Sequence, residues 1–164
     1  MRILVTYHSL TGNTRMVAEA MYEALPEPKD IKPVAQVTDL SGYDLVFIGF
    51  PVHSHSVPAR MEPFLKSLPA GLKTALFMTH GSIPGTRLAR EAMEQALILA
   101  GQTRILGTFT CRGKVSEQAM EILSRSPEHE LWTEMAVTAR NHPDHHDLED
   151  ARTFARWVVN LARQ

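Results

Sequence analysis

A short polar segment near the N-terminus contains the residues best suited to binding chemistry: Ser9, Leu10, Thr11, Gly12, Asn13 and Thr14. It follows an apolar run and leads directly into a stretch with helical spacing. Backbone amides at a helix start are free to donate, and the helix dipole adds roughly half a positive charge there. Gly12 allows a turn that other residues resist and lets the backbone approach a ligand closely. The pattern predicts an anion site that could satisfy a phosphate without a lysine.

Other nucleotide-binding loops do not match this segment. A P-loop NTPase requires G-x-x-x-x-G-K-[ST], and the segment contains no lysine. A dinucleotide fingerprint requires three spaced glycines, and the segment contains only Gly12. The simplest alternative is a capped turn whose polar residues serve only the helix. The sequence therefore disfavours the use of ATP and the Rossmann mode of binding NAD.

The elements that would position this segment alternate along the chain. Apolar runs predict strands at residues 3–7, 34–37, 45–50, 75–79 and 105–110. Such short, nearly continuous runs are typical of parallel strands buried on both faces, and the diluted run at 34–37 suits an edge. Helical spacing predicts helices near residues 14–25, 61–68, 89–100 and 148–161, the last with Asp147 as its N-cap. The alternation predicts an α/β fold with a three-layer, doubly wound, five-stranded parallel sheet.

The stretch from 112 to 146 fits this alternation least well. Its spacing predicts a helix over 115–123, a break at Ser126-Pro127 and a loop at 142–146. We expect it to be an elaboration packed on the sheet, so that residues 1–164 form one domain. Trp132, which lies in this stretch, and Trp157 on the last helix are interpreted as packing residues.

Composition and charge narrow the classes of function. The 164 residues are 44% hydrophobic and 21% charged, which excludes intrinsic disorder. A net charge of -1 indicates no basic face for nucleic acid. The apolar runs are too short to cross a membrane. A single cysteine and an N-terminus without a secretory leader predict a cytoplasmic protein.

Two further groups of residues could do chemistry. Three histidines and two aspartates lie close together and could ligate zinc: His142, His145, His146, Asp144 and Asp147. Because a helix follows them, we favour solvated histidines and a helix cap, and we expect no metal. Cys111 precedes Arg112-Gly113-Lys114, whose cations could activate a thiol or attract a phosphate-bearing partner. We favour a small apolar residue at a strand end for Cys111.

Four stretches in this order resemble the flavodoxin family. Residues 9–14 look like its S/T-x-T-G-N-T phosphate loop, and residues 43–52, Tyr-Asp-Leu-Val-Phe-Ile-Gly-Phe-Pro-Val, look like its third strand and flavin loop. Thr79-His80-Gly81-Ser82 matches the loop after the fourth strand, and residues 142–151 resemble the entry to the last helix. Together these stretches cover nearly the whole chain.

The resemblance implies the strand order 2-1-3-4-5 with FMN at the carboxyl edge of the sheet. Ser9, Leu10, Thr11, Gly12, Asn13 and Thr14 would then form the phosphate loop. One side of the isoalloxazine ring would be flanked by Pro51, Val52, His53, Ser54 and His55. Its other side or edge would be lined by Thr79, His80, Gly81 and Ser82. Flavodoxins often clamp the ring between a tryptophan and a tyrosine, and neither occurs in these loops, so we expect weaker or different stacking.

The resemblance implies an electron carrier that passes electrons from a reductase to an acceptor, with redox proteins as partners. The flavin does the redox chemistry, and the protein binds, orients and tunes it. A histidine that borders the ring could relay protons, since its charge changes near neutral pH. The main alternative is an NAD(P)H-dependent flavin or quinone oxidoreductase on the same fold. A binding module that has lost its flavin is a third possibility, which the intact phosphate loop disfavours.

Overall fold

A parallel sheet positions the three predicted loops, because each of them follows one of its strands. The computed structural model describes residues 1–125 and 127–164. In these residues five parallel strands form one sheet in the order β2-β1-β3-β4-β5. The strands are β1 (Ile3–Tyr7), β2 (Lys29–Pro33), β3 (Leu45–Pro51), β4 (Lys73–His80) and β5 (Arg104–Arg112). The order 2-1-3-4-5 that the resemblance implies is confirmed.

Helices cover both faces of the sheet, which explains the nearly continuous hydrophobicity of the central strands. The described residues form α1 (Asn13–Ala24), α2 (Glu62–Lys66), α3 (Arg87–Leu99), α4 (Glu117–Ser124), α5 (Glu130–Thr138) and α6 (His145–Ala162). Alternate strand residues point to opposite faces. Val5, Phe47 and Phe77 pack with α1 and α6 on one side, whereas Ile48 and Met78 pack with α2 and α3 on the other.

The strand predicted over 34–37 is wrong, because Val34–Gln36 is a 3-10 turn and the strand is β2. Every residue of β2 is only half-buried, as expected at an edge, and Ile31 alone packs against the core. The Lys29 ammonium lies 4.6 Å from the Tyr22 ring centroid, so its stem covers apolar surface. Pairing with β1 selects this polar segment despite its weak strand propensity.

The N-cap of α6 is Asp144, one turn before the predicted Asp147. The Asp144 carboxylate accepts the backbone N–H groups of His146 and Asp147 at 2.9 and 3.0 Å. The amide of Asp147 holds the pKa of Asp144 below its usual range. The Asp147 carboxylate accepts the N–H of Asp144 in return, which completes a capping box. His145 and His146 therefore lie in the first turn of the helix and not in a loop.

The elaboration after β5 contains two helices. The helix predicted over 115–123 is α4, and α5 was not indicated by the sequence pattern. A 3-10 turn at Pro127–His129 lies between them, and Ser126, part of the predicted break, lies outside the described residues. Among the helices of the described residues, none is long and apolar enough to cross a membrane.

Candidate functional site

The carboxyl ends of β1, β3 and β4 meet at one edge of the sheet and are joined by hydrogen bonds. The N–H of His8 donates to the carbonyl of Gly49 at 2.9 Å, and the N–H of Val52 donates to the carbonyl of Thr79 at 2.8 Å. The hydroxyls of Thr14 and Thr79 lie 2.8 Å apart in a buried contact. We refer to the three connections as the β1 turn (residues 9–14), the β3 loop (residues 51–56) and the β4 loop (residues 79–86). Among the predicted residues, the contact of Thr14 with Thr79 joins the β1 turn to the β4 loop, and the bond of Val52 to Thr79 joins the β3 loop to the β4 loop.

The β1 turn presents backbone amides to solvent at the start of α1. Gly12 is the N-cap, with φ of +97°, a left-handed conformation that favours glycine. Its own N–H donates to the Ser9 hydroxyl at 3.2 Å. Among the described residues, no side chain caps this helix and its first turn contains no acidic group. The turn is therefore electropositive through its amides and the helix dipole.

A cleft of about 400 Å³ adjoins the β1 turn on the side of β2. It is lined by Tyr7, His8, Ser9, Leu10, Gly12, Arg15, Pro33 and Ala35. The exposed Arg15 guanidinium donates to Glu19, one turn further along α1, at 2.7 Å. No residue of the β3 loop or the β4 loop lines this cleft. The cleft is therefore next to the predicted anion site but does not connect that site with the two other loops.

The β3 loop closes into a tight turn in which two consecutive non-glycine residues have positive φ. Ser54 and His55 have φ of +47° and +70°. The backbones of His53 and Ser56 exchange two hydrogen bonds of 2.9 and 3.0 Å across this turn. Left-handed geometry at ordinary residues carries strain of about 1–3 kcal/mol each and clusters at ligand sites. The two backbone hydrogen bonds between His53 and Ser56 close this exposed turn, and Val52 is half-buried at its base.

The β4 loop contains a buried histidine with an unused ring nitrogen. His80 is 4% exposed, and its Nδ1 lies 2.9 Å from the Ser82 hydroxyl. Its Nε2 is buried and has no hydrogen-bond partner among the described residues. Burial lowers the pKa of His80 to about 4. His80 is therefore neutral near pH 7, which disfavours a proton relay through it there.

The pKa of His80 predicts a pH dependence of stability. The unfolded chain binds this proton below pH 6.5, whereas the native protein binds it only below about 4, so the free energy of unfolding falls as pH decreases between these values. Between pH 7 and pH 4.5 the free energy of unfolding of the flavin-free protein should fall by about 2 kcal/mol more than that of a His80→Asn variant. Urea denaturation at the two pH values measures the difference, and identical losses would contradict it.

A glycine outside the predicted site shapes the β1 turn. A Cβ on the buried Gly113 would lie 2.6 Å from Nδ2 of Asn13. That Nδ2 donates to the carbonyl of Lys114 at 2.8 Å, which ties the turn to the chain after β5. The segment Arg112-Gly113-Lys114 thus contributes a carbonyl and a small residue to the site. In the sequence, Gly113 stands between two cations directly after the last strand, and no local pattern there indicates a contact with the β1 turn.

The histidine–aspartate cluster is accounted for by helix capping. The ligand atoms of His142, Asp144 and Asp147 lie within 4.8 Å of one another. Both carboxylates already accept backbone amides, and Asp147 also contacts Nδ1 of His142 at 2.5 Å. Cys111 is buried, and burial raises the pKa of its thiol, which favours the interpretation as a packing residue.

Comparisons with known proteins agree with this architecture. Residues 4–156 match the sequence profile of the flavodoxin domain family. The chain is 32% identical to the flavodoxin-like domain-containing protein BilS of Clostridioides difficile over 97% of both chains.

Two solved structures show the same fold. A WrbA-like flavodoxin from Agrobacterium tumefaciens is 20% identical over 99% of this chain and 98% of that one, with a TM-score of 0.67. A Lactobacillus acidophilus flavoprotein solved with FMN is 19% identical over 66% of this chain and 92% of that one, with a TM-score of 0.55. By its sequence profile, its curated relative and its sheet topology, the chain belongs to the flavodoxin domain family.

Proposed function

We propose that this protein binds FMN and carries electrons between a reductase and an acceptor. The observation that supports the proposal most is the β1 turn, whose glycine N-cap leaves α1 without a side-chain cap among the described residues and which contacts the β4 loop through Thr14 and Thr79. Family membership and the FMN complex of the Lactobacillus flavoprotein add support.

In this proposal the phosphate is bound by the β1 turn. The amides at the start of α1 face an anion that carries roughly -1.5 to -2 charges, and the hydroxyls of Ser9 and Thr11 add donors. Thr14 is buried, and its hydroxyl contacts Thr79, so it also links the turn to the β4 loop. A Cβ on Gly12 would meet no atom within 4 Å, so there is open space for a ligand beside the turn.

The ring would be bound between the β3 loop and the β4 loop. The uncompensated Nε2 of His80 fits a cofactor with polar ring atoms, since a ligand would supply the partner that the described protein atoms do not. Bound FMN supplies the electron-transfer chemistry. The chain orients the ring, excludes water from one edge and keeps His80 neutral beside it.

Flavin uptake and electron donors test this proposal. The purified protein should show flavin absorption, lose it on denaturation, and regain it when the refolded chain is mixed with FMN. Rapid reduction by a flavodoxin reductase, together with negligible NAD(P)H oxidation by the isolated protein, supports a carrier. Steady NAD(P)H oxidation with a quinone would instead support the oxidoreductase, and a chain that takes up no flavin would contradict both functions.

Replacing Gly113 with alanine should weaken FMN binding without a mutation in the β1 turn. The new Cβ displaces the Asn13 side chain and breaks its bond to Lys114. We expect the dissociation constant to rise about tenfold, equivalent to about 1.4 kcal/mol, which is the net stabilisation of roughly one neutral hydrogen bond. Fluorescence titration with FMN measures it. Gly42→Ala, whose Cβ would approach only the Arg2 guanidinium at 3.4 Å, is the control, and equal affinities in both variants would contradict this role.

A further inference from the structure

The elaboration after β5 contacts each of the three connections at the proposed flavin site. The carbonyl of Lys114 accepts from Asn13 of the β1 turn. The side chain of Val115 packs so closely on Gly81 of the β4 loop that a Cβ there would lie 2.3 Å from it. Trp132 of α5 packs on His55 of the β3 loop. These residues, which are distant in sequence from the three loops, therefore form an outer wall of the site.

Arg112 fixes the position of α5 in this wall. Its Nη2 donates to the carbonyl of Met135 at 2.6 Å and to the hydroxyl of Thr138 at 2.7 Å, at the end of α5. Its Nε donates to the carbonyl of Ser82 in the β4 loop at 3.1 Å. A cation at the negative end of a helix dipole is stabilising. Arg112 thus ties α5 to the β4 loop instead of facing a phosphate-bearing partner.

The anchored helix brings an indole onto the β3 loop. The ring centroids of Trp132 and His55 lie 4.7 Å apart with an interplanar angle of 58°. His55 lies in the left-handed turn of the β3 loop, and its Nδ1 lies 3.9 Å from a carboxylate oxygen of Glu91 in α3. The β3 and β4 loops contain neither tryptophan nor tyrosine. The other tryptophan, Trp157, packs on Phe154 of α6 instead.

We propose that Trp132 borders the flavin ring and that Arg112 is the residue that positions it. This inference rests on the proposed function, because it requires a ring between the β3 and β4 loops. The half-buried indole of Trp132 lies against His55, and an aromatic pair in offset or edge-to-face contact is stabilised beyond the area that it buries.

Emission from the bound flavin tests the role of Trp132, because an indole in contact with a flavin ring quenches its fluorescence. Trp132→Leu should raise the emission of bound FMN severalfold and increase its dissociation constant about threefold to tenfold through loss of the aromatic contact. Trp132→Phe should restore the affinity but leave the emission high, because phenylalanine stacks without quenching. Trp157→Leu is the matched control and should change neither quantity.

Arg112→Met tests the positioning role. Although Trp132 is still present, release of α5 should raise flavin emission as in Trp132→Leu. Combined with Trp132→Leu, Arg112→Met should raise the emission no further, because both act through the same contact. A further rise in the double variant would contradict the positioning role of Arg112.

The outcomes separate this inference from the proposed function. If FMN binds tightly and Trp132→Leu alters neither its emission nor its affinity, Trp132 does not border the ring. The proposed function then still stands. Wild-type protein that binds no FMN overturns both. Equal changes in Trp132→Leu and Trp157→Leu also overturn the inference, because they indicate a general loss of stability.

Discussion

Replacing Gly12 with valine is expected to raise the dissociation constant for FMN by about a hundredfold, equivalent to roughly 2.7 kcal/mol. Gly12 has φ of +97°, which a β-branched residue adopts only with strain of about 1–3 kcal/mol. Because a Cβ there meets no atom within 4 Å, the loss comes from the backbone and not from a clash. The turn should relax into an ordinary conformation in which the amides at the start of α1 no longer converge on the phosphate.

Gly71→Val is the matched control for this strain. Gly71 has φ of +75°, and a Cβ built on it would meet no atom within 4 Å. It lies just before β4, at the amino ends of the strands, whereas the β1 turn lies at their carboxyl ends. The two variants should lose similar free energies of unfolding in urea, but only Gly12→Val should lose affinity in a fluorescence titration with FMN. Full retention of flavin by Gly12→Val would place the phosphate elsewhere.

Replacing Gly49 with alanine should have the largest effect on stability. Gly49 lies in β3 directly opposite Phe77 in β4, and a Cβ there would come within 2.1 Å of the Phe77 ring. Phe77 is fully buried in the core beneath α1 and α6, so its ring has little room to move. Overpacking of this kind costs about 3 kcal/mol. Urea denaturation of the flavin-free protein should show that loss in the free energy of unfolding.

A double variant distinguishes this clash from a general intolerance of alanine in β3. Phe77→Leu removes the ring, so Gly49→Ala should be much less destabilising in that background than alone, which is a favourable coupling between the two positions. Gly42→Ala, near the exposed Arg2, should leave stability nearly unchanged. Additive losses from Gly49→Ala and Phe77→Leu would show that the two residues do not compete for space.

The central strands could be predicted from the sequence because strands that are buried on both faces consist almost entirely of apolar residues. β1, β3 and β4 are covered by helices on both faces, and their continuous apolar runs indicate that burial. The edge strand β2 could not be predicted in the same way, since its Lys-Asp-Ile-Lys-Pro sequence becomes a strand only through pairing with β1. The sequence does not locate the cap of α6, because Asp144 and Asp147, three residues apart, both fit the pattern of a cap.

The candidate site, like the fold, could be predicted from the sequence only where local residues determine the structure. The β1 turn combines a glycine, polar residues and a helix start within a few residues, so local sequence predicts it. The contacts of Asn13 with Lys114 and of His55 with Trp132 join residues far apart in the chain, and no local pattern indicates them. The unused Nε2 of His80 depends on burial by surrounding elements, which the residue types of the β4 loop do not reveal.

The most direct measurement is a paired titration of the flavin-free protein with FMN and with riboflavin. The two ligands share the ring and differ in the phosphate, so the ratio of their dissociation constants reports what the β1 turn contributes. We expect FMN to bind at least about a hundredfold more tightly than riboflavin, and Gly12→Val to abolish most of that difference. Equal affinities for the two ligands, or no uptake of either, would contradict a phosphate site at the start of α1.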